Sequence, residues 1–324
     1  MNTTLQADGP SGRFLVNGKP TFLLGASYYG GLALEPAETE PDLRELRGLG
    51  FNWVRLWCTW GAFGNDVAAM DDQGKAREPY LSRLVGFCAL ADRLGMIVDV
   101  TFSRGLPPDH AAKAPWLRSP LQTRPAYLEA LRTVTDALRA YRNVYIDVVN
   151  ERNTHRMPPV PFDQAAEMIS LVRRIDPGRL VTISDVYDIP DAEVAGYIQI
   201  AGVDFLTPHR VRTAESPAQT AENTRRYRRL AAETGRPVPV HYQEPFRRDF
   251  TTWQPTAEDF LTDLAGAVEG GAAGWCFHNG FSRHSPDSRP RRSFDLRDGR
   301  LMEQLDDVER AVVNRCAALT PSWT

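Results

Sequence analysis

Lysine is almost missing from this 324-residue chain: Lys19, Lys75 and Lys113 stand among 38 basic residues, and the rest are arginine. A skewed nucleotide composition of the coding sequence accounts for such a bias without any function; an anionic ligand is the other account. Cysteine is scarce too. Cys58, Cys88, Cys276 and Cys316 form no CxxC pair, which excludes a zinc ribbon or a disulfide framework and leaves them as core residues. Only 6 histidines are present, none in HxH or HExxH spacing. A metal-dependent barrel hydrolase wants His-x-His on its first strand, where this chain has Ala26-Ser27-Tyr28. No catalytic metal and no cofactor are expected. Gly30-Gly31 is too little for a phosphate-cradling loop. No apolar run approaches the roughly 20 residues that span a bilayer. The polar start, MNTTLQADGPSGRF, lacks the basic-then-apolar order of a secretory leader. A cytoplasmic location is the expectation, with a secreted protein stripped of its leader as the alternative. The net charge of −3 gives no reason to expect nucleic acid or a membrane as partner. Nothing in the sequence signals an oligomeric state.

What is present is an ordinary globular composition, 42% hydrophobic and 24% charged, sufficient for a large core. Residues 13–26, RFLVNGKPTFLLGA, read as a hairpin, since Asn17-Gly18 between apolar runs is the strongest short hairpin signal. Its second arm runs into Ser27-Tyr28-Tyr29-Gly30-Gly31. A helix is expected at 41–49, with Thr39 as its cap and Pro41 in its first turn. The pattern then repeats. After a first strand at 22–26, apolar strands begin near Trp53, Met96, Val144, Leu180, Val203, Val238 and Ala273. Helical periodicity fills 79–94, 125–141, 162–175, 215–234, 256–269 and 301–318, with a short helix at 190–200. Several helix-to-strand connections carry glycine stop signals, as at Gly50, Gly95, Gly178 and Gly235. Eight alternating units of about 30 residues predict a closed parallel (β/α)8 TIM barrel with a short N-terminal β-hairpin across its floor. No linker or low-complexity segment divides it, so one domain over 1–324 is expected.

Such barrels carry their active sites at the C-terminal ends of the strands. The stretch 144–153, VYIDVVNERN, is the most informative: a run suited to a buried strand opens into Asn150-Glu151-Arg152. Glu244 ends the seventh strand, across the mouth from Glu151. Two carboxylates converging on one bond are what glycoside hydrolysis needs. One protonates the departing oxygen; the other attacks or stabilises the oxocarbenium-like carbon. An ion pair with one of the many arginines is the bland reading of either glutamate alone. The pair, flanked by Asn150 and by Arg55 on the second strand, points to chemistry. Asp99 and Asp147 lie inside strands and read as structural, whereas Asp185 ends the fifth strand within reach of a ligand.

This ordered set resembles the clan A retaining glycoside hydrolases, the group that includes cellulases and β-mannanases. Asn-Glu closes strand four, Glu closes strand seven, Arg lies on strand two and Trp on strand eight. VNGKPTFLLGASYY and IDPGRLVT also resemble segments of such barrels, so the likeness covers about 18–280. The resemblance implies that Glu151 is the acid/base and Glu244 the nucleophile. It makes Asn150 the contact to the sugar 2-hydroxyl and Arg55 the group that keeps Glu244 ionised. A nucleophile needs a low pKa, which a fixed guanidinium supplies; the acid needs a raised one, which partial burial supplies. The chain also departs from the group. Where many members have His after strand three, it has Phe102-Ser103. After strand six it has His209-Arg210-Val211 in place of His-x-Tyr, leaving Tyr242 as a substitute for the missing hydroxyl. Either Trp275 or His278 fills the place of the sugar-flooring tryptophan. The cellulase label therefore lacks support.

Aromatic residues crowd the expected mouth: Tyr28, Tyr29, Trp57, Trp60, Phe63, Trp116, Phe246, Trp253 and Phe281. Flat rings stack on sugar faces, and Trp60 and Tyr28 are the favoured contacts because their loops hold few other apolar residues. Arginines crowd it as well, among them Arg104, Arg152, Arg156, Arg210, Arg212, Arg247, Arg248, Arg283 and Arg289. Their forks suit carboxylate or sulfate, which makes an anionic glycan a candidate substrate. The same residue is common on the helices, where it is ordinary surface. The leading expectation is a retaining hydrolase of a β-linked glycan or glycoside. The alternatives are a non-catalytic carbohydrate-binding barrel, or a transglycosylase or lyase that uses the same carboxylates.

Overall fold

The protein's structure, a computed structural model, describes residues 2–62, 64–105, 119–154, 157–280 and 292–321. Phe63, Trp116, Arg156, Phe281, Arg283 and Arg289 lie outside these residues. The barrel strands are β1 (Leu23–Ser27), β2 (Trp53–Trp57), β3 (Ile97–Thr101), β4 (Val144–Asp147), β5 (Leu180–Thr182), β6 (Thr207–Pro208), β7 (His241–Tyr242) and β8 (Gly274–Phe277). Seven form one parallel sheet in the order β5-β4-β3-β2-β1-β8-β7. β6 closes the ring. It pairs in parallel with Ser184–Asp185, the continuation of β5, and Leu206 just before it bridges to Val240 just before β7. The expected (β/α)8 barrel is what the chain forms.

β7 is shorter than its apolar run because Pro237 and Pro239 have no N–H for a ladder. The first helix is Pro36–Gly48, not 41–49. Glu35 caps it through a reciprocal box with Glu38, and Pro36 takes the first-turn place assigned to Pro41. The last expected helix is three pieces, Leu301–Gln304, Asp307–Arg315 and Cys316–Leu319. Leu305 is extended, and the Asp306 side chain accepts from Glu309 N to start a new helix. No helix among the described residues is long and apolar enough to cross a membrane.

The N-terminal element is three-stranded: Leu5–Asp8, Arg13–Val16 and Lys19–Thr21. Asn17 (φ 53°) and Gly18 (φ 76°) make the predicted turn, but its second arm ends before β1 begins. Leu5 and Phe14 pack with Leu23, Trp53, Ile97, Tyr145 and Phe205 at the barrel floor. The Phe14 ring meets Phe205 edge-on at 5.1 Å and His241 at 5.4 Å.

Side chains on a strand alternate between the two faces of the sheet. The apolar floor cluster therefore sets the inward parity on each strand. From Leu23 the inward positions are Gly25, Ser27 and Tyr29; from Trp53 they are Arg55 and Trp57; from Cys276 the next is His278. Gly25 is required because a Cβ there would fall 1.6 Å from the Trp53 ring. Above the floor the interior turns polar, and this layer positions the candidate site.

Candidate active site

Arg55, fully buried on β2, is the hub. Its Nε donates to Asp99 Oδ2 at 3.0 Å and to Thr101 Oγ1 at 3.1 Å. Nη2 donates to Asp147 Oδ2 (3.1 Å) and Asn150 Oδ1 (2.9 Å), and Nη1 pairs with Glu244 Oε1. Gln243 braces Asp99 with an Nε2 hydrogen bond of 2.8 Å. Three carboxylates around one guanidinium leave an excess of negative charge in a dry interior, and a proton relieves it. Burial, then the Asp147 charge, overcome Arg55 and push Asp99 up to about 7. Its native pKa thus lies above the ordinary carboxylate value near 3.8, so the folded state binds more protons across that interval. Asp99 ionisation accordingly lowers stability as pH rises from about 4 to about 7. Melting curves of wild type and Asp99→Asn should show wild type losing ground to the variant over that range. A difference that stays flat with pH would rule out this reading of Asp99.

Glu244, 5% exposed, sits above this layer. Oε1 takes the Arg55 contact and accepts from Tyr29 Oη at 3.0 Å. Oε2 accepts from Arg212 Nη2 at 3.1 Å. Burial alone would raise its pKa, but His209, Arg55 and Arg212 outweigh it and hold the carboxyl well below its ordinary value. The Tyr29 hydroxyl is pushed far up by burial and by Glu244, so it remains a donor.

Glu151 faces Glu244 from beyond the end of β4. It stands in left-handed backbone (φ 48°), and its N–H donates to Ser184 Oγ at 2.9 Å. A non-glycine residue in that region is held by its surroundings at a local cost of about 1–3 kcal/mol, and such residues cluster at functional sites. Here the turn swings the side chain over the mouth, where it is 21% exposed. His209 lies between the two glutamates, its Nδ1 3.2 Å from Glu151 Oε1 and 3.7 Å from Glu244 Oε2. The ligand atoms of the three residues all lie within 4.8 Å of one another. Such a triad is also a metal-type donor set. Arg55 and Arg212 both contact Glu244 and would oppose a cation there, so a proton-transfer pair is the better chemical description.

His278, rather than Trp275, occupies the strand-eight place in the site. Its Nδ1 lies 2.9 Å from both Ser27 Oγ and Tyr29 Oη, and Nε2 is 3.5 Å from Glu244 Oε2. Arg247 Nη1 donates to Nε2 at 3.1 Å; a guanidinium cannot accept, so the proton sits on Nδ1. Burial keeps this ring neutral, its pKa well below the usual value. Trp275 points outward and gives its indole N–H to Asp263 at 2.6 Å.

Two other expected contacts also lie elsewhere. Tyr28 has outward parity and donates to Asp42 Oδ2 at 2.9 Å, while its neighbour Tyr29 enters the site. Tyr242 is outward as well, with its hydroxyl 2.7 Å from Thr224 Oγ1, so the hydroxyl on Glu244 comes from β1's loop. Trp60 is beside the site rather than in contact with the carboxylates: it stacks on Tyr29 with 5.7 Å between centroids. The indole N–H groups of Trp57 and Trp60 are buried without a partner among the described residues. Arg152 turns away, bonding Tyr197 Oη at 2.8 Å and Val160 O at 3.1 Å. Asp185 is spent on Asn153, Tyr187 and Tyr197. At the place after β3, Phe102 packs on Tyr127.

No protein-family model matches the sequence, and no curated protein matches it. Solved structures do match in shape. One is a glycoside hydrolase family 5 structure from Bacteroides vulgatus, with TM-score 0.63 and 15% identity over 85% of this chain; the chain spans 62% of that protein's length. A second is a glycoside hydrolase family 5 mannosidase from Rhizomucor miehei, bound to mannosyl-fructose, with TM-score 0.66, 13% identity and coverage of 98% and 97%. A third is a β-mannanase from the blue mussel Mytilus edulis, with TM-score 0.59, 14% identity and coverage of 94% and 100%. The chain has the barrel fold of these glycoside hydrolases.

Proposed function

We propose that the protein hydrolyses a β-linked glycoside with retention of configuration, Glu151 serving as acid/base and Glu244 as nucleophile. The carrying observation is the pairing of these two carboxylates within 4.8 Å, one held ionised by Arg55 and the other at the open mouth. That limit refers to the facing oxygens, one from each carboxylate, and so close an approach suits the double displacement of retaining enzymes, whose carboxyl groups stand roughly 5–5.5 Å apart. In the first step Glu244 attacks the anomeric carbon while Glu151 protonates the leaving oxygen, and the aglycone departs as an alcohol. In the second, Glu151 takes a proton from water, whose oxygen displaces Glu244 and releases the sugar. Asn150 spends its Oδ1 on Arg55, so its amide hydrogens are what it offers the sugar 2-hydroxyl. The barrels that match in shape include proteins named for mannoside cleavage, which makes mannosides the first substrates to try.

A panel of aryl β-glycosides followed by NMR tests this reading. It predicts release of the β-anomer first; release of the α-anomer, or binding without any turnover, contradicts it. Tyr29→Phe removes a donor to a charged acceptor and should lower kcat/KM by roughly 10-fold or more, shifting the acidic limb of the pH profile upward. Tyr28→Phe should leave activity unchanged and cost about 1.5–3 kcal/mol of stability, since its hydroxyl donates to the buried Asp42 carboxylate. Equal effects of the two substitutions on activity would contradict the parity assignment.

A further inference from the structure

Among the described residues Arg247 is a cation in direct contact with no counterion, the charges of Glu244 and Glu151 reaching it only from farther off. Nη1 is spent on the uncharged ring of His278, Nε is buried without a partner, and no carboxylate among the described residues contacts the guanidinium. It stands over Phe250 at 4.1 Å and Phe294 at 5.1 Å, ring faces that hold it in place. Arg212 stands over the same Phe250 at 4.7 Å and, among the described residues, donates from Nε to Pro245 O and from Nη2 to Glu244 Oε2. Two arginines thus share one ring at the lip of the site. Their mutual repulsion is costly: burial and then Arg212 pull Arg247 down to about 10. A partly buried cation beside a like charge, with no carboxylate in contact among the described residues, is unfavourably placed, and an arriving anion would relieve it.

We infer that the substrate bears an anionic group, carboxylate or sulfate, on the sugar next to the cleaved bond, and that Arg247 with Arg212 receives it. The inference rests on the hydrolase reading above. Among the described residues the Nε and Nη2 donors of Arg247 have no hydrogen-bond partner; Nε is buried in the free protein, and a small shift of the side chain would present both as the parallel N–H pair that a planar carboxylate or two sulfate oxygens accept bidentately. Glu244 and Glu151 are the carboxylates whose charge reaches Arg247, which puts the anion site alongside the reacting carbon rather than at a remote subsite. The competing account is that the aromatic stack alone explains Arg247, in which case charge on the sugar is irrelevant.

Matched aryl β-glycosides of glucose, mannose and galactose, their uronic acids and their 6-sulfates separate these accounts. The acidic member of at least one pair should show kcat/KM about 30-fold or more above its neutral twin, a preference that weakens with salt. Arg247→Met should bring that ratio close to one, and Arg247→Lys should keep part of it; melting curves verify that both fold. Calorimetric binding of the free uronic acids and their neutral parents to wild type and Arg247→Met provides a readout that needs no turnover. Charge-selective binding lost in Arg247→Met, with no turnover of any glycoside, would support the anion site and sink the hydrolase reading. Turnover that ignores sugar charge, or no charge discrimination in either readout, would overturn the inference.

Discussion

Glu244→Gln should lower kcat at least about 10^4-fold on any glycoside the protein cleaves, and should lower the melting temperature at neutral pH as the stabilised charge is lost, without unfolding the protein. The amide oxygen still accepts from Arg55 and Tyr29, and Arg55 keeps Asp99 and Asp147 as partners, so the frame survives. What is lost is the ability to form a glycosyl ester. Glu151→Gln should behave differently because its role depends on the leaving group. Hydrolysis of an unactivated alkyl glycoside should fall by a comparable factor. The first step on a 2,4-dinitrophenyl glycoside needs no proton and should be nearly intact, so the intermediate accumulates as a burst. If both variants respond alike to leaving-group ability, the division of labour between the two glutamates is wrong.

Arg55→Met should be the most damaging single change to the barrel interior. It leaves Asp99, Asp147 and Glu244 around an apolar side chain in a dry site, and stranding buried charge in this way costs about 3–5 kcal/mol. That is a large share of the about 5–15 kcal/mol typical of a folded protein. The pH dependence follows from the direction of the Glu244 shift. Its native pKa lies below the unfolded value, so its contribution is fully present above the ordinary carboxylate range and fades as pH falls through the native pKa. Without Arg55 the Glu244 pKa rises toward its ordinary value, with His209 and Arg212 still lowering it, and part of that stabilisation is lost. The acidic limb of kcat/KM should move up by more than one pH unit. Arg55→Lys keeps one charge and should show a smaller shift if the methionine variant fails to fold. An unmoved acidic limb in a folded variant would mean that Arg55 does not set the ionisation of Glu244.

The sequence announced the barrel because its signals are local and repeated. Apolar runs ending in Asp-Val-Val-Asn-Glu or His-Tyr-Gln-Glu, each followed by helical periodicity and a glycine stop, specify a unit that only stacking in a ring can bury. Glu151, Glu244, Asn150, Arg55 and His209 were legible as strand-end polar residues, and the fold brings them together. Tyr28, Tyr242 and Trp275 were misread for one shared reason. Each is aromatic and near a strand end, yet a period of two turns it outward onto a helix, to Asp42, Thr224 and Asp263. Parity counted from the apolar floor residues Leu23 and Cys276 selects Tyr29 and His278 instead, and that signal was in the chain. Arg212 and Arg247 were harder to single out. With 38 basic residues, nearly all arginine, their type carries little information, and only the geometry around Phe250 separates them from the helix surface.

The most direct test of the central claim is covalent trapping. A 2-fluoro glycoside with an activated leaving group slows release of the intermediate more than its formation, so the sugar stays bound. Mass spectrometry of the digested protein should find one label per chain, on the peptide carrying Glu244 and on that side chain. A label on Glu151 or any other residue, or turnover of the parent glycoside with no label at all, would contradict a double displacement through Glu244.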